Sequence, residues 1–146
     1  MYGARAAWQR LAGCRPPASL GSAVSRLAMP LLSIKTSAPA PAAADLDGLL
    51  REISGRIATH LGKPEAYVMT AFEGDVAMTF AGSGTEPVAY LELKSVGRLS
   101  PESTAAISAD LCGLIEERLA VPAARTYIEF AAAEGYLWGW NRRTFG

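Results

Sequence analysis

The residues able to carry out chemistry are few, and their scarcity narrows the reactions open to this chain. His60 is the only histidine, and the two cysteines, Cys14 and Cys112, lie far apart in different kinds of sequence. A zinc site needs several His, Cys or carboxylate ligands, and a Ser/His/Asp or Cys/His triad needs a histidine beside its nucleophile. With one histidine and no CxxC, zinc chemistry and most hydrolase mechanisms lack their parts. No disulfide framework is suggested either, and a reducing compartment is compatible with the sequence. Lys63, in Gly62-Lys63-Pro64, reads by itself as a solvated cation at a helix end, favourably placed against the helix macrodipole.

The elements that would position such residues fit into one domain. The chain has 146 residues, 50% hydrophobic and 19% charged, which is the balance of a soluble globular protein with a real core. Its zero net charge is unevenly spread. Arg5, Arg10, Arg15 and Arg26 precede Met29 with no Asp or Glu among them, leaving ten basic against fourteen acidic residues from Pro30 onward. A mildly acidic body without a basic stripe argues against nucleic acid as a partner. The apolar runs are too short and interrupted to span a bilayer, so no membrane partner is expected.

Residues 1–29 form an N-terminal extension, and 30–146 the domain. The extension is arginine-spaced, rich in Ala and Ser, free of acids and interrupted by Pro16 and Pro17. Three readings stand open: an organellar transit peptide, for mitochondrion or plastid; a start assigned too early, with Met29 the initiator of a cytoplasmic protein; or a flexible extension that is retained.

Within the domain, residues 31–37 (LLSIKTS) read as a strand, and residues 38–44 (APAPAAA) as a loop, since Pro39 and Pro41 cannot sit inside a helix. Leu46, Leu49, Leu50, Ile53, Ile57 and Leu61 recur at helical spacing, with Asp45 the expected N-cap and Gly62 to Pro64 the stop. A second strand is expected over 66–72. The pattern then repeats: a strand over 89–96, a helix opened by Ser100-Pro101-Glu102 with Ile107, Leu111, Leu114, Ile115 and Leu119 buried, and a strand over 126–131. Leu32 to Lys35 matches Leu91 to Lys94 at an offset of 59, and Pro64 matches Pro122 at 58, the mark of a tandem duplication.

Two βαβ units with right-handed crossovers merge into one four-stranded sheet with both helices on a single face, an α+β two-layer fold. Strands two and four carry apolar residues of both parities, among them Tyr67, Val68, Met69 and Phe72, then Tyr127, Ile128 and Phe130. Such strands usually have both faces covered. With two helices available, a second subunit is the economical cover, so a homo-oligomer is expected.

Met29-Pro30 before a strand, Gly62-Lys63-Pro64, Ser83-Gly84-Thr85-Glu86-Pro87, Gly139-Trp140-Asn141 and Thr144-Phe145-Gly146 occur in this order. In that series the chain resembles the macrophage migration inhibitory factor family and its plant, algal and bacterial members, over about the whole of 30–146. The resemblance implies a homotrimer with active sites at subunit interfaces, and cofactor-free interconversion of keto and enol forms of aromatic α-keto acids such as phenylpyruvate, in some members of dopachrome. It implies that Pro30, freed of the residues before it, is the catalytic base, since a secondary amine at a chain terminus carries a basic lone pair whereas an amide nitrogen does not. Lys63 matches the lysine that meets the substrate carboxylate, and Val96 a position whose backbone contacts substrate. Tyr127 matches a tyrosine that reaches into the neighbouring subunit's pocket. Glu129 stands where animal members have an asparagine, and an ionised carboxylate cannot donate to a substrate carboxylate. Trp138 replaces a small apolar residue at the rim, and with Leu31 it suggests an apolar wall for an aromatic substrate. Val88 to Leu91 replaces the CxxC of animal members, so thiol–disulfide activity is not implied, and Cys112 reads as a small buried residue.

A second reading keeps the pocket without useful catalysis: a trimeric binding or signalling protein, reached without a secretory signal and acting on a protein receptor. A third, hydration or dehalogenation at an activated double bond, is called for by no feature of the sequence.

Overall fold

A computed structural model describes residues 29–146. The readings of the segment before Met29 lie outside the described residues.

The chain builds β1 (Leu31–Thr36), α1 (Ala43–Leu61), β2 (Met69–Glu73), β3 (Ala89–Val96), α2 (Pro101–Leu119) and β4 (Thr126–Ala133), followed by two short strands, β5 (Gly139–Trp140) and β6 (Arg143–Thr144). The main sheet has the order β2-β1-β3-β4. β1 runs parallel to β2 and β3 parallel to β4, while β1 and β3 meet antiparallel at the centre. Each parallel pair is therefore one βαβ unit, and the central pair joins the two copies.

One face of the sheet is packed. Leu32 and Ile34 of β1 and Leu91 and Leu93 of β3 are fully buried against Leu49, Ile53 and Ile57 of α1 and Ile107, Leu111, Leu114 and Ile115 of α2, in a single cluster. Side chains alternate across a strand, so the intervening residues point the other way. These are Leu31, Ser33 and Lys35 on β1, Tyr90, Glu92 and Lys94 on β3, and Tyr127 and Glu129 on β4. This open face keeps Met69 60% and Tyr127 65% exposed at its margins. Its centre is polar, because the register brings Lys35 of β1 and Glu92 and Lys94 of β3 together there.

Two local expectations are corrected. α1 begins at Ala43 with Ala42 as N-cap and no side-chain cap, so Asp45 stands in the first turn and not at the cap. Pro41 fixes the approach of the chain, and Asp45 still favours the positive end of the helix. The second strand starts at Met69 and not at residue 66, because Glu65–Tyr67 forms a 3-10 turn whose Tyr67 N–H donates to Pro64 O at 3.1 Å. α2 starts as expected: Ser100 is the N-cap, accepts from the Ser103 N–H at 3.1 Å, and is followed by Pro101.

The helices are also clasped outside the core. Arg56 pairs with Glu52 at 2.6 Å and with Asp110 across the helix interface, His60 Nε2 lies 2.8 Å from Asp110 Oδ2, and Arg118 reaches back to Glu52.

Both helices end on a left-handed residue, Gly62 at φ 60° and Ala120 at φ 53°. Glycine meets no steric penalty there, whereas alanine's Cβ crowds the following carbonyl. Ala120→Gly should raise the stability of the domain by about 0.5–1 kcal/mol. A urea titration would register this as a higher midpoint at unchanged slope.

Candidate active site

Pro30 is buried where the chain enters β1, and its carbonyl accepts the Met69 N–H at 2.9 Å, the bond that starts the β1–β2 pairing. Around it lies a cavity of about 300 Å³ lined by Met29, Pro30, Leu31, Tyr67, Met69, Trp138, Gly139 and Trp140. Three of the residues singled out in the sequence, Pro30, Leu31 and Trp138, thus come together.

The walls are mostly apolar and aromatic. The 3-10 turn Glu65–Tyr67 delivers Tyr67, which meets Trp140 edge-on with ring centroids 6.2 Å apart. Trp140 stacks on Phe145 at 6.1 Å with the planes 12° apart. Trp140 is held by the β5–β6 hairpin, where it pairs with Arg143, and the two-residue turn Asn141-Arg142 has positive φ at both positions. That is the backbone twist a tight hairpin requires. The C-terminal segment thereby folds back to supply one wall of the cavity.

Tyr67, Met69 and Trp140 are cavity residues that the sequence did not mark as such. Tyr67 and Met69 read as strand apolar residues, and Trp140 as part of a family motif. The signal was the local pile of aromatics in 136–145, which says that a ring cluster forms without saying against what.

The other singled-out residues are not among those lining this cavity. Lys63 is half-buried just past the end of α1, its N–H donating to Ala58 O at 2.9 Å, and burial pushes its ammonium below the usual lysine range. Val96 is buried at the end of β3, two residues beyond Lys94, the partner of Leu31, so it lies alongside the chain just before β1. Tyr127 and Glu129 are exposed on β4, two strands away from β1. Tyr127 touches Phe80, with ring centroids 5.2 Å apart, and Glu129 accepts a hydrogen bond from Tyr90. Within one chain these two residues and the Pro30 cavity are separate. Cys112, expected buried, is half-buried on α2, and burial raises its thiol above the usual value.

The family model for macrophage migration inhibitory factor matches residues 29–146. The macrophage migration inhibitory factor of Meriones unguiculatus is 33% identical over 80% of this chain and 99% of its own length. A homolog from Brugia malayi is 36% identical over 81% of this chain and 100% of its own. Among solved structures, a homologue of the same factor from Prochlorococcus marinus is 48% identical, superposes with a TM-score of 0.74, and covers 80% of this chain and 99% of its own. The duplicated βαβ sheet and similarity over nearly the whole length of these relatives agree, and the chain belongs to the macrophage migration inhibitory factor family, on the tautomerase fold.

Proposed function

We propose that the protein is a cofactor-independent keto–enol tautomerase of aromatic α-keto acids such as phenylpyruvate, with the amine of Pro30 as its base once residues 1–29 are removed. The observation that carries this reading is the burial of Pro30 in a cavity walled by Tyr67, Trp138 and Trp140. Membership of the family supports a function of the tautomerase superfamily in general; the substrate class is inferred from those walls.

The reaction is a 1,3-proton shift. The Pro30 nitrogen takes a proton from the carbon between ring and carbonyl, the electron pair moves onto the carbonyl oxygen as an enolate, and a proton is returned to that oxygen. The reverse sequence makes the ketone, so atoms balance without a cofactor. An α-amino group titrates near pKa ~8, and an apolar site disfavours its charged form, leaving free base near neutral pH. A ring against Trp138 and Trp140 would point its acid group away from the aromatic wall. Lys63 is assigned to that carboxylate.

The remaining parts belong to a trimer. In this reading the open sheet face is covered by neighbouring copies, Tyr127 enters the adjacent subunit's cavity, and its hydroxyl donates to the developing oxyanion. In the same reading Val96, alongside the chain just before β1, offers its backbone to the substrate.

In a chain beginning at Pro30, Lys63→Ala should raise KM for phenylpyruvate on the order of tenfold or more, the size of a lost charge-assisted hydrogen bond. Steady-state rates followed by ultraviolet absorbance of the enol give both constants. Absence of turnover by the Pro30-initiated protein itself would overturn the proposal and leave a trimeric binding protein as the reading to pursue.

A further inference from the structure

A polar network crosses the open sheet face outside the Pro30 cavity. Tyr90, Glu92 and Lys94 alternate along β3, with Tyr127 directly across from Tyr90 and Glu129 directly across from Glu92. Like charges facing one another across a strand pair repel, so two opposed glutamates call for compensation. Lys94 Nζ stands 3.0 Å from Glu92 Oε2. The Tyr90 hydroxyl contacts Glu129 Oε2 and lies 3.1 Å from Glu92 Oε1.

A phenol has one proton to donate. Glu92 already has its cation, whereas Tyr90 is the one partner that Glu129 finds among the described residues. The proton therefore goes to Glu129. The Glu129 carboxylate, with smaller contributions from desolvation and from Glu92, holds the Tyr90 phenol well above its ordinary range, so it stays a donor at any working pH.

We propose that Tyr90 is a positioning residue: it ties the Glu129 carboxylate down against the sheet beside Tyr127, keeping that charge from opposing an aromatic carboxylate in the site that Tyr127 enters. The proposal rests on the reading that Tyr127 is delivered to a neighbouring copy's cavity. Tyr127 and Glu129 are two residues apart on one side of β4, about 7 Å along the strand, so whatever Tyr127 approaches is within reach of a freed glutamate. Glu129 is then not a substrate ligand but a charge under restraint, and an asparagine at this position would need no such restraint.

The test uses the chain beginning at Pro30, which corresponds to nearly the whole length of the relatives cited above. Titration calorimetry with 3-phenylpropionate and with its uncharged amide would be run on four proteins: unmodified, Tyr90→Phe, Glu129→Gln and the double variant. Tyr90→Phe should weaken the carboxylate by roughly three- to tenfold, the scale of a screened like-charge contact near a surface, and leave the amide unchanged. In the Glu129→Gln background the same change should do nothing to either probe. Equal weakening of both probes, weakening that persists without the Glu129 charge, no weakening, or no binding by the unmodified chain would each overturn the proposal. Phenylalanine keeps the ring, and the glutamine background reports any packing defect separately. Binding needs no turnover, so the expected pattern in a protein that leaves phenylpyruvate unchanged would sink the tautomerase reading while leaving the role of Tyr90 intact.

Discussion

A chain that begins at Pro30 will turn over phenylpyruvate at least about 100-fold faster than the chain carrying residues 1–29, the low end of what a positioned general base contributes. In the longer chain the nitrogen of Pro30 is part of the Met29–Pro30 peptide bond, and its lone pair is delocalised into the carbonyl. Met29 also lines the cavity, so removing it changes the wall beside Pro30 as well as the nitrogen. The two effects act together and cannot be rescued by raising substrate concentration alone. With the amine free, kcat/KM should rise with pH through a single step below ~8, because protonated Pro30 has no electron pair to give and its burial lowers that pKa. Pro30→Gly would retain a terminal amine without the ring and should keep a small part of the activity. Equal rates from the long and short chains would rule out the amine as base. Intact mass and terminal sequencing of protein from its own cells would then say which form exists there.

The second large effect is on the fold. Leu91→Ala should cost about 2–5 kcal/mol, the range for a buried leucine whose cavity closes only partly. Leu91 is fully buried at the centre of β3, with Ile34 of β1 and Ile128 of β4 as its register partners, so it stands where the two βαβ copies are sewn together. Few neighbours there can move to fill the space, because strands on both sides are hydrogen-bonded in place. A domain stable by roughly 5–15 kcal/mol loses a large fraction of that margin. Chemical denaturation should show it directly, with Leu91→Met, which keeps the volume, costing less than about 1.5 kcal/mol. Similar losses for both substitutions would mean that the central seam is not closely packed.

Much of the architecture was legible because two periodicities alternate cleanly. The three- and four-residue spacing of Ile107, Leu111, Leu114 and Ile115 can only be one face of a helix, and Ser100-Pro101 states where that helix starts. The offset of 58–59 residues between the halves reappears as two parallel strand pairs joined back to back. Boundaries were less legible where the chain makes a turn with strand-like residues. Tyr67 and Val68 read as strand, yet Pro64 opens a 3-10 turn there. The site divided in the same way. Of the residues lining the cavity, Pro30, Leu31 and Trp138 were singled out from the sequence, whereas Tyr67, Met69 and Trp140 join them only through chain reversals that bring residues far apart in sequence to one place. Tyr90 was invisible for another reason: its importance lies in the register that sets Glu92 against Glu129, and register is a property of two strands and not of one.

The duplicated turns after the two helices show what such a repeat makes available. Gly62-Lys63-Pro64 and Ala120-Val121-Pro122 share a left-handed cap, a proline and a following 3-10 turn, so their backbones are near copies. Their side chains have parted. Val121 is 0% exposed and anchors the core, whereas Lys63 is half-buried and ionisable. At the equivalent pair three residues past the prolines, Arg125 ties down a loop by donating to the carbonyls of Ser83, Glu86 and Pro87, whereas Tyr67 faces the cavity. Of two turns with nearly the same backbone, one spends its side chains on the scaffold, and the other turns Tyr67 to the cavity.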